Sequence, residues 1–278
     1  MRGYLRLSRP GNAVMSAAGV AVAALVSVGP ALFAARGVAV AFAGVAALLF
    51  TAAGNALNDY FDRDTDRVNH PERPIPRQEV SAESAARFAS LMFALSLVAA
   101  YYVNLEAVVI VAINFAVIVG YEKLFKARGA SGNFLIAYLV GSLFVFGGIA
   151  VYAGAIGAMQ RAWVLALLAF MATAGREISK DIEDVEGDVD RVTLPRRVGV
   201  PKAGRAAAAL FLAGVVLSLV PIVLGLFGWP YLVIVLVADG IFIYSGLYST
   251  RNPGRAQRTA KYGMIVALVA FLAGGLLA

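Results

Sequence analysis

The sequence has no cysteine, a single histidine at His70, and charge on only 15% of its 278 residues. Without cysteine there is no disulfide, no thiolate nucleophile and no cysteine-ligated metal. With one histidine, neither a Ser-His-Asp triad nor a multi-histidine zinc site is expected. Any chemistry must come from carboxylates, amides, hydroxyls and cations. A soluble domain carries about a quarter charged residues. Here 60% of the residues are hydrophobic and the mean hydropathy is +0.78, which excludes fibrous and disordered classes and points to an integral membrane protein.

A bilayer core about 30 Å thick takes roughly 20 apolar residues per helical crossing. Apolar runs bounded by charge, Gly or Pro predict nine segments, at about 12–34, 37–60, 83–103, 105–121, 131–153, 161–180, 204–227, 229–249 and 258–278. The fold class expected is therefore an all-α polytopic membrane protein, one domain over 1–278. The opening MRGYLRLSRPGN is too short in its apolar part for a signal peptide and reads as an amphipathic lead-in at the interface.

Of the 24 Lys and Arg residues, 22 fall on the N-terminus or beside the connections after segments 2, 4, 6 and 8, and only Arg36 and Arg161 fall on the opposite face. Cationic loops stay cytoplasmic, so this places the N-terminus inside and the C-terminus outside. Carboxylates share the asymmetry. Seven of the 17 lie between Asp59 and Glu83 and seven between Glu177 and Asp190, where segments 2 and 6 end. The candidate working loops are therefore about 59–82 and 176–203, both cytoplasmic.

On a helix, Asn58, Asp62 and Asp66 step round by only about 40° each and share one face. Asp181, Asp184 and Asp188 fall within about 60° of one another on a continued helix. One such cluster reads equally well as a solvated loop; two at equivalent helix ends read as a hard-cation site. Facing carboxylates repel unless cations lie between them. Magnesium suits the pattern, because it takes one or two carboxylates plus substrate phosphate oxygens. The interleaved Arg63, Arg67, Arg73, Lys123, Lys126, Arg128, Arg176 and Lys180 then read as phosphate partners.

The run Asn58-Asp59-x-x-Asp62-x-x-x-Asp66 with Arg73-Pro74-Ile75-Pro76 resembles the first signature of the UbiA superfamily of intramembrane prenyltransferases, and Asp181 to Asp188 resembles the second. The resemblance spans nearly the whole chain. It implies nine helices around a central apolar cavity and two Mg2+ ions bridging an isoprenoid diphosphate. Asn58, Asp62 and Asp66 would hold them on one side and Asp181, Asp184 and Asp188 on the other. It also implies diphosphate contacts from Arg63, Tyr121, Lys126 and Lys180. Many members carry Tyr-x-x-x-Lys after segment 4; here lysines follow Tyr121 by two and five residues, and Lys126 is favoured because Lys123 serves equally as a membrane anchor.

Gly175-Arg176-Glu177-Ile178 running through Asp188 to Thr193-Leu194-Pro195 is most similar to the branch of the family that makes archaeal ether lipids. That branch implies a geranylgeranyl diphosphate donor and a geranylgeranylglyceryl phosphate acceptor. The acceptor's phosphate would fall to Arg9, Arg67 or Arg128. Membrane lipids are the only other partners expected, with no nucleic acid and no obligatory protein. An aromatic-acceptor prenyltransferase shares the donor chemistry and remains an alternative.

A cation-coupled transporter is the rival from another class, but transporter sites gather near the bilayer midplane, and only Asp239 and Asn114 lie that deep here. For Asp239, a protonated carboxyl bonded to a neighbouring helix explains its place as well as a functional role does. His70, in a polar loop, reads as solvated. Gly141 and Gly147-Gly148 suggest close helix contact in segment 5 rather than a nucleotide loop.

Overall fold

The computed structural model describes residues 2–125, 130–151, 156–186 and 192–277. Among these there is no strand, and nine helices are long and apolar enough to cross a membrane. A short α1 (Arg2–Ser8) leads into α2 (Pro10–Ala35) and α3 (Gly37–Phe61), with α4 (Arg63–Asn69) directly after. Then come α5 (Ala82–Tyr101), α6 (Leu105–Gly120) with a π-helical turn at Tyr121–Phe125, α7 (Ala130–Val151) and α8 (Ile156–Glu183). The last third holds α9 (Leu194–Val198), α10 (Val200–Leu217), α11 (Val220–Val223), α12 (Trp229–Tyr248) and α13 (Pro253–Leu276).

Successive long helices pack on one another and α13 returns onto α2, while α2 also meets α7 and α8 across the interior. Small residues make that crossing close. A Cβ on Gly147 would lie 2.6 Å from Ala23 Cβ and closer still to the Val20 carbonyl, and one on Gly148 would lie 2.6 Å from Ala162 Cβ. The glycines of segment 5 therefore serve helix contact, as the sequence suggests. Interlocking small side chains and backbone contact is how helices gain association energy where lipid removes the hydrophobic drive.

Helix ends depart from the apolar runs for local reasons. α13 begins at Pro253, five residues before its apolar stretch, because Asn252 Oδ1 accepts from the Arg255 amide and Pro occupies the first turn. Segment 7 divides at Ser218–Leu219 ahead of Pro221, which has no amide to donate. In α2, Gly29 takes φ 75° immediately before Pro30, a kink open to glycine alone at low cost.

The lead-in α1 lies against the protein. Leu7 is fully buried with Ala56, Val80, Ala85 and Ala89, and Arg6 Nη1 donates to Glu79 Oε1 at 2.5 Å. This seats the first residues on the loop that follows α4, beside the end of α3.

Candidate active site

The end of α3 and the start of α4 keep helical hydrogen bonding through Asp62. The Asp62 amide donates to Asn58 O at 2.9 Å, and the Asp66 amide to Asp62 O at 2.8 Å. These bonds keep the i to i+4 connection from Asn58 to Asp66, although Asp62 itself, at φ −86° and ψ 2°, marks a break between the two helices. The three side chains then diverge. Asn58 Nδ2 donates to Glu122 Oε1 at 2.9 Å, and Asp62 is half-buried. Asp66 is buried, with both oxygens accepting from Arg73 Nη1 at 2.7 and 2.6 Å. Neighbouring Asp59, 2% exposed, accepts from Arg9 Nη2 at 2.5 Å and lies 3.6 Å from Arg73 Nη1. Two guanidiniums and two buried carboxylates therefore form one neutral quartet behind the rim.

The second rim is built on α8. Ile178 and Ile182 bury against Ala203 and Ala207 of α10, and Ser179 Oγ donates to Gly175 O at 2.9 Å and lies 3.3 Å from Oγ of Ser249, the residue that caps the end of α12. That anchored face leaves Asp181 and Asp184 on another side of the same turn. Asp181 Oδ2 accepts from Asn133 Nδ2, near the start of α7, at 2.8 Å. Asp184 is exposed in the turn that ends α8. The helix expected to continue to Asp188 stops at Glu183, where a run of carboxylates meets the negative end of the helix dipole. Asp188 itself lies outside the described residues.

The two rims share a support. Glu122 holds the first through Asn58, and Asn133 holds the second through Asp181. These residues flank the connection between α6 and α7, and its π-helical turn packs on α7. Spacing gave no hint of Asn133: it is a lone amide in an apolar segment, and its buried position, 7% exposed, is what marks it.

Among the cations, several expected phosphate partners are engaged with protein groups. Arg73 holds Asp66, and Arg176 pairs with Glu177. Arg9, one of the three residues considered for the acceptor phosphate, holds Asp59. Arg63 lies 5.0 Å over the Tyr60 ring and donates to Tyr60 O at 3.0 Å. Arg67 is 70% exposed, 3.4 Å from Asp64 Oδ1. Tyr121 is half-buried at the start of the π-helical turn, and Lys123 and Lys180 are exposed. Lys126 and Arg128 lie outside the described residues. His70 is exposed, 3.4 Å from Glu72 Oε1.

The deep polar groups pair between helices. Ser218 Oγ donates to Asp239 Oδ2 at 2.8 Å, and Tyr231 OH donates to Ser218 O at 2.7 Å. Asn114 Nδ2 donates to Ser142 Oγ at 2.9 Å beside an apolar cavity of about 20 Å³ between α3, α6 and α7.

Among the described residues no three His, Asp or Glu side chains form a ready metal cage. The donors at the two rims are nonetheless all hard oxygens, and Asp62 and Asp184 are both reachable from solvent. Such a set fits magnesium, which leaves part of its coordination sphere to phosphate oxygens.

Nine membrane-length helices, with hard-oxygen groups at the ends of α3 and α8, give the frame of a polytopic membrane protein. The chain belongs to the UbiA prenyltransferase family, whose profile matches residues 13–274. It is 41% identical over 278 residues to the digeranylgeranylglyceryl phosphate synthase of Haloquadratum walsbyi, covering 99% of this chain and 94% of the relative. A solved digeranylgeranylglyceryl phosphate synthase structure superposes with a TM-score of 0.86 at 31% identity, covering 100% of this chain and 99% of the other. A UbiA homologue from Archaeoglobus fulgidus bound to DMAPP and Mg2+ shares the fold, with a TM-score of 0.59 at 17% identity over 95% of this chain and 99% of its own.

Proposed function

We propose that the protein transfers a geranylgeranyl group from geranylgeranyl diphosphate to the hydroxyl of geranylgeranylglyceryl phosphate, in the synthesis of archaeal ether lipids. The observation that carries this reading is the end-to-end similarity, at 41% identity, to a relative named for that product. The paired rims support it chemically. The cation asymmetry of the sequence supports a cytoplasmic mouth, with the N-terminus on the same side.

In this reading Asn58, Asp62 and Asp66 on one rim and Asp181, Asp184 and Asp188 on the other hold Mg2+. When bound, the ions neutralise the charge that builds on the departing diphosphate. Asp66 reaches that role only by sharing its carboxylate with Arg73, so Asp62 is the principal ligand of the first rim. Arg63, Tyr121, Lys126 and Lys180 bind the diphosphate from the protein side, which orients C1 of the prenyl chain toward the bundle interior. The apolar helix walls exclude water while positive charge develops on the allylic carbon, so that the acceptor hydroxyl meets it first. Arg67 and Arg128 are the cations left to the acceptor phosphate, since Arg9 is committed to Asp59.

The test is turnover by the purified protein with geranylgeranyl diphosphate, Mg2+ and either the glycerol phosphate lipid or an aromatic acceptor, with products followed by mass spectrometry. Prenylation of the glycerol phosphate lipid is expected. Transfer to the aromatic acceptor alone would replace the acceptor, and no release of pyrophosphate with either would overturn the reading.

A further inference from the structure

An open surface depression runs along the start of α13, bordered by Asn252, Arg255, Arg258, Thr259 and Tyr262. Residues 249–262 carry four cations, Arg251, Arg255, Arg258 and Lys261, and no carboxylate. The acidic group that meets the depression is Glu183, whose Oε1 lies 3.4 Å from Arg258 Nη1. Arg255 lies 5.8 Å over the ring of Tyr248. Its charge is thereby positioned without being neutralised.

At 100° per residue, Arg255, Arg258 and Tyr262 fall within about 60° of each other on α13, and Ile265, Val269 and Leu276 continue the same face. Those three apolar residues are 57%, 49% and 49% exposed. The opposite face is buried: Gly263 packs against Phe242, and Gly274 against Phe227 and Tyr231. One helix face thus presents cations, hydrogen-bonding groups and an aromatic ring at its start, then an uninterrupted apolar track. Loop cations that only fix topology need not gather round a shared depression above an apolar track.

We propose that this face of α13 binds an anionic phospholipid. Arg255 and Arg258 hold its phosphate, the Thr259 hydroxyl and the Asn252 amide supply further hydrogen bonds, and its hydrocarbon lies along Ile265 and Val269. The site adjoins the second rim through Glu183, but it uses none of the residues proposed to hold metal and does not depend on the reaction proposed there. A free phosphate shares the head-group chemistry but leaves the track unused.

Thermal unfolding of the full chain in neutral detergent tests this, with added phosphatidic acid, phosphatidylcholine or inorganic phosphate and native mass spectrometry to count bound lipid. Phosphatidic acid is expected to raise the unfolding midpoint saturably and the other two are not. Arg255→Ala keeps the Arg258–Glu183 contact and should raise the half-saturating lipid concentration about tenfold or more, the loss of one charged hydrogen-bonding partner. Arg205→Ala, an exposed cation on α10, should leave it unchanged. The proposal is overturned if Arg255→Ala binds like wild type, if Arg205→Ala weakens binding equally, or if inorganic phosphate matches the lipid.

Discussion

Arg73 donates to both carboxylate oxygens of Asp66 from a loop that the Pro74 and Pro76 rings stiffen, and the same guanidinium faces Asp59 at 3.6 Å. Asp59 in turn is held by Arg9, so helix end, loop and lead-in meet in one charge network. Removing one member leaves a buried carboxylate without its counter-ion, whereas removing both members of a pair need not destabilise. Arg73→Ala should therefore lower stability by about 3–5 kcal/mol, read as a fall in the unfolding midpoint in detergent. The double change Arg73→Met with Asp66→Leu should recover much of that loss, and equal midpoints for the two variants would contradict the network's role.

Asp62→Ala and Asp184→Ala should each abolish transfer while leaving the unfolding midpoint and gel-filtration profile near wild type. Neither side chain is part of the packed core. Normal turnover in either variant would remove it from the metal site.

Chelation by EDTA should stop turnover, and Mg2+ in excess of the chelator should restore it. The helices pack through small residues and hydrogen bonds away from the rims, so the unfolding midpoint of the substrate-free protein should barely move. A large drop on chelation would mean that a metal holds the fold itself.

Gly147→Ala should destabilise by about 1–3 kcal/mol, because the new methyl meets the α2 backbone at Val20 and the Ala23 side chain. Gly19→Ala, where nothing lies within 4 Å of the added Cβ, should leave the unfolding midpoint unchanged or slightly raised. Equal effects of the two would show that α2 and α7 are not in close contact.

Asp239→Ala should keep transfer within about twofold of wild type while lowering stability by about 1 kcal/mol, the order of an interhelical hydrogen bond in a membrane. Loss of turnover in a folded Asp239→Ala protein would instead place this carboxyl in the chemistry.

The membrane-length helices were legible because bilayer thickness imposes one length on every crossing, and all nine expected segments have a counterpart among the described helices. Their ends were less legible, since capping by Asn252 and the missing amide of Pro221 act outside hydropathy. At the site, helical periodicity anticipated the i to i+4 hydrogen bonding from Asn58 through Asp62 to Asp66, but not the break between helices at Asp62. It did not reveal that Asp66 is turned inward, because Arg73 is seven residues away across a loop of irregular geometry. Asn133 and Glu122 were equally hidden: an amide and a carboxylate 48 and 64 positions from their partners leave no local pattern.

The lead-in α1 has a practical consequence. Because Arg6 and Arg9 fasten residues 2–9 to Glu79 and Asp59, anything fused ahead of Met1 is appended to the clasp on the first rim. A purification handle belongs after α13, where its bulk cannot pry that clasp open.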